Sequence, residues 1–433
     1  MIPPHPASWL FLLVSLVGAG FTASAVLRLR RISYLIVPYF FASWLTGELA
    51  VHHIAWQAVA TIAFVELDAL GAWPGWVGLV VTFASWVALF IFYQRAGNSG
   101  AVFDAAFHHD LADGILPPNH AVPFRRIARP FKFRVRGVER IPDIPYGPHG
   151  RRNLLDIYRP ANGNGDGPAP ILFQIHGGGW TVGQKEQQAL PLMYHLAARG
   201  WLCVAANYRL SPRATFPDHL IDVKRALVWT KRHAAEYGGD PAFVIVTGGS
   251  AGGHLAALVA LTANDPEYQP GFEDADTTVQ GCVPFYGVYD FLDRHGERRK
   301  ASMTPFLERL VMKSSPTADR DAWEKASPIA RVHAGAPPFF VIHGTHDSLA
   351  YVEDTRHFVA ALRRVSHQPV VYAELPGAQH AFDLFHSRHS AYAIDAVTRF
   401  VELLRAEDLA RRSGAASPPL VAVTPPVAAL PAP

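Results

Sequence analysis

Three long apolar runs without Lys or Arg occupy the first hundred residues of the chain. They cover residues 8–27, 33–50 and 73–93, and the second contains one acid, Glu48. A helix of about 20 apolar residues can cross the hydrocarbon core of a bilayer. A signal peptide would explain only the first run, and the residues before it lack the expected positive charge. We therefore predict three membrane-spanning helices within residues 1–95, with two or four spans as alternatives.

Four polar residues in and after the second run lie close to helical spacing: Glu48, His52, His53 and Gln57. The second helix ends near residue 50, or near residue 65 if these residues continue it. Ionisable groups inside a membrane are functional candidates. We favour the alternative that they lie at a helix end near lipid headgroups or pair with one another, because nothing else in the sequence indicates a transport path.

The chain changes character after the third run. Residues 96–130 mix Gly, Pro and His and then become basic, which predicts a basic linker. At the other end, residues 413–433 are rich in Pro, Ala and Val without periodicity, which predicts a disordered tail. The globular domain is therefore expected between residues 131 and 412.

Short apolar strands alternate with longer helical stretches inside this domain. Continuous apolar strands between helices are typical of a mostly parallel sheet covered on both faces, so we predict an α/β fold. Ligands of such sheets bind beyond the carboxyl ends of the strands. The predicted strands are 154–158, 171–175, 201–206, 243–246, 282–286, 339–342 and 370–374.

Composition excludes several functional classes. The formal net charge of +3 is small, and the globular part has no basic patch interleaved with aromatics, so nucleic acid is not an expected partner. Cys203 and Cys282 each lie in an apolar run. Two such cysteines exclude a disulfide framework and a cysteine-based metal site.

One Gly-rich segment joins a predicted strand to a predicted helix. Residues 248–252 read GGSAG and fit G-x-S-x-G, the nucleophile elbow, in which a serine on a tight strand-to-helix turn presents its hydroxyl. Glycines suit such a turn because neighbouring backbone lies too close for a Cβ atom. The motif alone occurs by chance, but here the required strand and helix flank it. Ser250 is therefore the candidate nucleophile.

A second Gly-rich segment, HGGGW at residues 176–180, directly follows the strand 171–175. Attack of a serine on an ester passes through a tetrahedral oxyanion, which needs preorganised N–H donors. Amides of this glycine run, together with the amide of Ala251, can supply them. A phosphate-binding loop is the alternative, but no Gly-Lys-Ser/Thr follows and no acidic residue is placed for a nucleotide ribose.

The serine also needs a base and a residue that orients the base. In this type of sheet the expected order is Ser, then Asp or Glu, then His, each after a strand. Asp347 follows the strand 339–342 and His380 follows the strand 370–374, so both have the expected order and position. The rivals for these roles are His343, His346, His386, His389 and Asp290.

The motifs together resemble the esterase/lipase family of α/β-hydrolases related to hormone-sensitive lipase. The whole arrangement is similar to bacterial membrane-anchored carboxylesterases. The resemblance rests on HGGGW, GGSAGG, GTHDSLA and GAQHAF and covers about residues 131–412. It implies an α/β-hydrolase fold and a triad of Ser250, Asp347 and His380.

The resemblance also assigns the glycine loop. It implies an oxyanion hole made of the amides of Gly178, Gly179 and Ala251, with His176 orienting the loop rather than reacting. Many members have Asp immediately before the nucleophile, whereas this chain has Gly249. Members often carry a helical cap over the site, and here membrane segments and the linker stand in that place, so no acyl-chain preference follows.

The expected function is hydrolysis of carboxylic esters through an acyl-enzyme, with no metal and no organic cofactor. The expected partners are an ester or lipid substrate and membrane lipids. Acyl transfer to an alcohol by the same triad is one alternative. Peptidase activity on the same fold is not favoured, because it would need a large extra domain and the sequence contains none. A non-catalytic binding module is another alternative, but it would be expected to carry a damaged triad.

Charges flanking the apolar runs predict the orientation of the protein. Positive charge near spans tends to stay cytoplasmic. Arg28, Arg30 and Arg31 follow the first run, residues 66–72 contain acids without Lys or Arg, and Arg95 follows the third run. Three spans with the N-terminus outside satisfy all these segments. We therefore predict a multi-pass membrane protein with a cytoplasmic catalytic domain and its basic linker near anionic headgroups.

Overall fold

The computed structural model describes residues 5–28, 35–112, 122, 124–163, 167–298, 303–415 and 420. Arg30 and Arg31 of the predicted first loop lie outside these ranges, as do part of the predicted linker and most of the predicted tail. Leu420 is buried, and its carbonyl accepts a hydrogen bond from the Ala112 amide at 3.1 Å.

Four apolar helices form the N-terminal part. They are α1 (Pro6–Val26), α2 (Ile36–Glu48), α3 (Ala50–Glu66) and α4 (Trp73–Ala96). By length and composition, α1 and the stretch Trp73–Asp110 could each cross a membrane, and α2 with α3 could form a third, broken span. The sequence left open one helix running to about residue 65. The structure instead bends the chain by 89° between α2 and α3.

The N-terminal helices pack through small residues and aromatic rings. The Thr82 hydroxyl of α4 donates to Ser15 Oγ of α1 at 2.9 Å. A Cβ atom at Gly78 would lie 3.2 Å from the Leu12 backbone, so α1 and α4 approach closely. The Trp9 and Trp73 rings meet at 5.3 Å, which places the N-terminal ends of α1 and α4 together.

The central sheet has eight strands in the order β1-β2-β4-β3-β5-β6-β7-β8. Strands β1 and β2 and strands β2 and β4 pair antiparallel, and all other neighbours pair parallel. The strands are β1 (Val138–Pro145), β2 (Leu154–Pro160), β3 (Ala169–Ile175), β4 (Leu202–Ala206), β5 (Gly239–Gly249), β6 (Gly281–Phe285), β7 (Phe339–Gly344) and β8 (Val370–Leu375). The predicted mostly parallel α/β sheet is confirmed.

Strand β1 was not predicted from the sequence. It contains Pro142 and Pro145, which cannot donate to a ladder and are confined to sheet edges and bulges. β1 is indeed an edge strand with a shift of register between Ile141 and Ile144. The prolines therefore hid a strand whose position in the sheet accommodates them.

Helices cover both faces of the sheet. Those of the catalytic part are α5 (Ser99–Asp110), α6 (Phe124–Ile127), α7 (Leu190–Ala197), α8 (Asp218–His233), α9 (Ala251–Leu261), α10 (Met303–Phe306), α11 (Arg320–Lys325), α12 (Val352–Val365) and α13 (Arg388–Ser413). Helices α8, α9 and α12 contribute to one buried cluster, and α5, α7 and α13 to the other. Part of the predicted linker is therefore structural, because Phe103 and Phe107 of α5 pack on Phe340 of β7.

Candidate active site

Ser250 lies in a tight turn between β5 and α9. Its backbone has φ 58° and ψ −123°, a positive-φ conformation that a non-glycine residue rarely adopts. Its amide donates to the Phe285 carbonyl at 3.0 Å, which ties the turn to the end of β6. A Cβ atom at Gly252 would lie 2.1 Å from the Ile175 carbonyl oxygen, so α9 begins in direct contact with β3. The serine itself is partly exposed, and its hydroxyl makes no hydrogen bond within the described residues.

The glycine loop after β3 lies against this turn. A Cβ atom at Gly177 would lie 3.1 Å from Ser250 Cβ. The Gly177 amide donates to Gln188 Oε1 at 2.6 Å, whereas the amides of Gly178 and Gly179 have no hydrogen-bond partner in the described chain. The Ala251 amide is likewise unpaired there, at the first turn of α9. Three unpaired amides thus flank the candidate nucleophile.

His176 is fully buried behind the glycine loop. Its Nδ1 donates to the Gly177 carbonyl at 2.7 Å, and its ring stacks on Tyr208 with 4.4 Å between centroids. The Tyr208 hydroxyl in turn donates to the His176 carbonyl at 3.0 Å. Burial lowers the pKa of His176 to about 4, so the ring is neutral at pH 7. These contacts hold the His176 ring against the glycine loop, as expected for a residue that orients the loop.

Asp347 and His380 meet beyond the carboxyl ends of β7 and β8. His380 Nδ1 lies 2.6 Å from Asp347 Oδ2. The other carboxylate oxygen accepts the amides of Leu349 and Ala350, both at 2.8 Å. Burial alone would raise the pKa of Asp347, but His380 and His343 outweigh it and hold that pKa well below its usual range. Asp347 is therefore a fixed, ionised acceptor at neutral pH.

His343, which the sequence offered as an alternative catalytic residue, instead contacts the Asp347 carboxylate. Its Nε2 lies 2.9 Å from the Ala350 carbonyl and 3.1 Å from Asp347 Oδ2, so this nitrogen carries the proton. Its Nδ1 accepts from the Thr355 hydroxyl at 2.7 Å. With both ring nitrogens engaged in the core, His343 orients the carboxylate.

The other rivals have partners elsewhere. His346 Nδ1 lies 3.3 Å from the Ala25 carbonyl of α1. The His386 ring packs beside Phe133. His389 pairs with Glu48 at 3.0 Å. Asp290 pairs with Arg294.

Two residues missed by the sequence reasoning complete the surroundings of His380. The Tyr286 ring lies 4.6 Å from the His380 ring, and its hydroxyl donates to Asp383 Oδ1. A Cβ atom at Gly249 would lie 2.7 Å from the Tyr286 hydroxyl oxygen, so this tyrosine fills the space beside the residue before the nucleophile. Burial raises the pKa of Asp383 to about 6. A tyrosine directly after β6 was the only signal in the sequence.

The described residues contain no group of three or more His, Cys, Asp or Glu that could hold a metal ion. What the arrangement offers is an imidazole oriented by a buried carboxylate, a serine on a strained turn and unpaired amides beside it. These are the parts of a nucleophilic acyl-transfer site.

Comparison with known proteins agrees with this chemistry. Residues 155–362, just under half of the chain, match the BD-FAE family model. The chain is 59% identical over 259 residues to a protein named probable carboxylic ester hydrolase LipM of Mycobacterium tuberculosis, and the match covers 60% of each chain. It is 49% identical over 280 residues to one named esterase LipQ of the same organism, covering 64% of this chain and 66% of that protein. The chain thus spans less than two thirds of the length of these relatives.

A solved structure shows the fold. Esterase B from Lactobacillus rhamnosis superposes with a TM-score of 0.54 at 21% identity, covering 75% of this chain and 97% of that one. At this identity the likeness shows the α/β-hydrolase fold alone, which the sequence resemblance had implied.

Proposed function

We propose that this α/β-hydrolase is a membrane-bound serine carboxylesterase whose triad is Ser250, Asp347 and His380. The observation that carries the proposal is the buried Asp347–His380 hydrogen bond of 2.6 Å beyond the ends of β7 and β8, on the same edge of the sheet as the Ser250 turn. The names of the relatives LipM and LipQ, both ester hydrolases, support the same activity.

Each residue of the proposed triad has a separate role in the reaction. His380 takes the Ser250 proton as the serine oxygen attacks the ester carbonyl, and Asp347 holds the imidazole in the required tautomer and stabilises the imidazolium. His380 then gives that proton to the leaving alcohol. Water attacks the acyl-enzyme with His380 again acting as base, and the acid is released.

The unpaired amides of Gly178, Gly179 and Ala251 are the proposed oxyanion hole. Because the Gly177 amide already donates to Gln188, the amides left free in this loop are those of Gly178 and Gly179. Preorganised donors stabilise the charge that develops in the transition state without reorganisation. The proposed role of Gln188 is to lock the loop in the shape that exposes those two amides.

The membrane part supports lipophilic esters as the substrate class. Helix α1, the stretch Trp73–Asp110 and the broken pair α2–α3 are apolar enough for up to three crossings. The Arg28 side chain at the end of α1 lies 3.4 Å from Glu353, and Arg388 of α13 donates to the Tyr93 carbonyl near the end of α4 at 2.9 Å. The catalytic domain therefore packs on the basic ends of α1 and α4, and positive charge near spans favours the cytoplasmic side.

Ser250→Ala tests the nucleophile. We expect ester hydrolysis to fall by several orders of magnitude, because triad members act as a unit. The purified full chain in detergent is compared across esters of increasing acyl length, with Ser366→Ala as the matched control. Ser366 lies on an exposed turn after α12, with its hydroxyl bonded to the Gln368 carbonyl.

A fluorophosphonate probe should label Ser250 in the wild type and in Ser366→Ala. Labelling that persists in Ser250→Ala would overturn the assignment. Supplying an alcohol acceptor and analysing the products separates hydrolysis from acyl transfer by the same triad.

A further inference from the structure

Helix α2 lies directly on the loop that carries the candidate catalytic histidine. We define the His380 loop as residues 376–381. Three residues of α2 contact this loop, namely Phe40, Ser43 and Trp44, and Glu48 reaches it through His389 of α13. This contact surface has no counterpart in the sequence reasoning, which treated the helix as a membrane span.

The first contact runs through Gln379. Its Nε2 donates to Ser43 Oγ of α2 at 3.1 Å. Its Oε1 accepts two amides, that of His380 at 2.9 Å and that of Ser348 at 2.8 Å. One buried side chain thus joins the loop of His380 to the loop of Asp347, and a hydroxyl from α2 fixes its orientation.

The second contact is aromatic. The Trp44 indole donates to the Ala381 carbonyl at 3.0 Å. The Trp44 ring also stacks on Phe40 at 5.5 Å and lies 5.2 Å from Phe385. Phe40 in turn sets its ring edge against the His380 ring, with 6.1 Å between centroids. The ring of the proposed base therefore contacts both Tyr286 of the catalytic domain and Phe40 of α2.

The third contact is a buried ion pair. His389 Nδ1 lies 3.0 Å from Glu48 Oε1, and both side chains are only 1% exposed. The other nitrogen of His389 donates to the Pro376 carbonyl at 3.1 Å, at the start of the His380 loop. Burial would lower the pKa of His389, but Glu48 and that carbonyl raise it overall. Glu48 therefore pairs with the catalytic domain rather than with its neighbours in the apolar run.

Helix α2 by itself is too short to cross a membrane. Its 13 residues rise about 20 Å, short of the roughly 30 Å of a hydrocarbon core. Its side chains Val37, Phe41 and Leu45 are 54%, 49% and 36% exposed. An exposed apolar surface, combined with two polar contacts to one loop and a third made through His389, is typical of a helix lying between lipid and domain.

We propose that α2 is a positioning element of the active site, which holds the His380 loop and with it the imidazole of the proposed base. This inference rests on the proposed triad. Displacing a catalytic group by about 1 Å costs on the order of 100-fold in rate. Losing the α2 contacts would free the His380 loop on the side facing the membrane, while the Asp347 contacts would remain.

Ser43→Ala and Trp44→Phe, singly and together, test the proposal in the full chain. Ser43→Ala removes the Gln379 acceptor, and Trp44→Phe removes the indole donor but keeps an aromatic ring. We expect kcat on a soluble short-chain ester to fall about 10- to 100-fold in the double variant, with KM changed less than about two-fold. Val37→Ala and Leu45→Ala, on the exposed face of α2, are the matched controls and should keep the wild-type kcat.

Two substitutions of Glu48 provide a second test, in which the conservative one should restore activity. Glu48→Ala leaves His389 Nδ1 buried without an acceptor, whereas Glu48→Gln keeps an amide oxygen in reach. We expect Glu48→Ala to lose kcat and Glu48→Gln to recover most of it. Rates are expressed per active site titrated with the fluorophosphonate, so that unfolded chains do not enter the value.

The outcomes separate this inference from the proposed function. If the full chain hydrolyses esters through Ser250, but the double variant and Glu48→Ala match the controls in kcat per titrated site, α2 is only an anchor and the inference fails. If the wild-type chain hydrolyses no ester and takes no probe, the proposed function itself fails.

Discussion

The Asp347 carboxylate receives four hydrogen-bond donors, two imidazoles on one oxygen and two backbone amides on the other. Such a group has little freedom to rotate, and its pKa is held below the usual range. At the residue scale the orientation of His380 is therefore set from several directions: by Asp347 at Nδ1, by Tyr286 against one side of the ring and by Phe40 at another.

Asp347→Asn tests this arrangement. The amide keeps the shape but presents an N–H group where an acceptor is needed, which favours the wrong tautomer of His380. We expect a loss on the order of 10⁴ in kcat, the magnitude known for the corresponding change in a serine protease. Steady-state kinetics on a short-chain ester measure it, and near-normal turnover would point to another acid such as Asp290.

At the element scale the site depends on how closely α9 approaches β3. The strained backbone of Ser250 and the glycines around it let the helix begin directly against the Ile175 carbonyl. This contact sets the distance between the Ala251 amide on α9 and the Gly178 and Gly179 amides after β3. The proposed oxyanion hole is thus a property of two elements, not of one loop.

Gly252→Ala should separate those elements. The new Cβ would lie 2.1 Å from a backbone oxygen, which cannot rotate away, so α9 must shift. We expect kcat/KM to fall about 100-fold and the free energy of unfolding to fall by about 1–3 kcal/mol. Gly335→Ala is the control, since its nearest atom would be 3.5 Å away. Unchanged kinetics in Gly252→Ala would show that the close approach is not needed.

At the scale of the whole molecule, the N-terminal helices and the catalytic domain meet on one side. The C-terminal ends of α1 and α4 contact His346 after β7, and α2 contacts the loop after β8, so all three helices meet the carboxyl edge of the sheet. The opposite ends of α1 and α4 meet through Trp9 and Trp73, away from the domain. In the predicted three-span topology, the N-terminus and residues 67–72 lie on the far side of the membrane from the domain.

Reporter fusions test this topology. Green fluorescent protein fused after Arg412 should fluoresce, and alkaline phosphatase at the same position should be inactive, because basic flanks favour the cytoplasm. A fusion after Leu67, in the segment without Lys or Arg, should give the reverse pattern. Active phosphatase after Arg412 would place the domain outside and contradict the three-span arrangement.

A feature of the fold or the site could be predicted from the sequence when residues close together in the chain determine it. The strands and the nucleophile turn are encoded by neighbouring residues, so the α/β sheet was predicted correctly and Ser250, Asp347 and His380 could be selected. The bend after Glu48 was not predicted, because the apolar character of the sequence continues through it. Gln188, Tyr286 and Gln379 act through partners distant in sequence, and an isolated Gln or Tyr carries no pattern that indicates such a partner.

The contact between Ser43 and Gln379 joins residues 336 positions apart, which has a consequence for biogenesis. At the usual pace of synthesis, α2 leaves the ribosome roughly 20 to 70 s before Gln379 does. In the predicted topology, the helix is already in the membrane when the last part of the domain folds against it. On the proposed role of α2, insertion becomes the step that activates the hydrolase. We expect newly made chains that fail to insert to react poorly with a fluorophosphonate. A chain that remains in the cytosol would then not hydrolyse cellular esters.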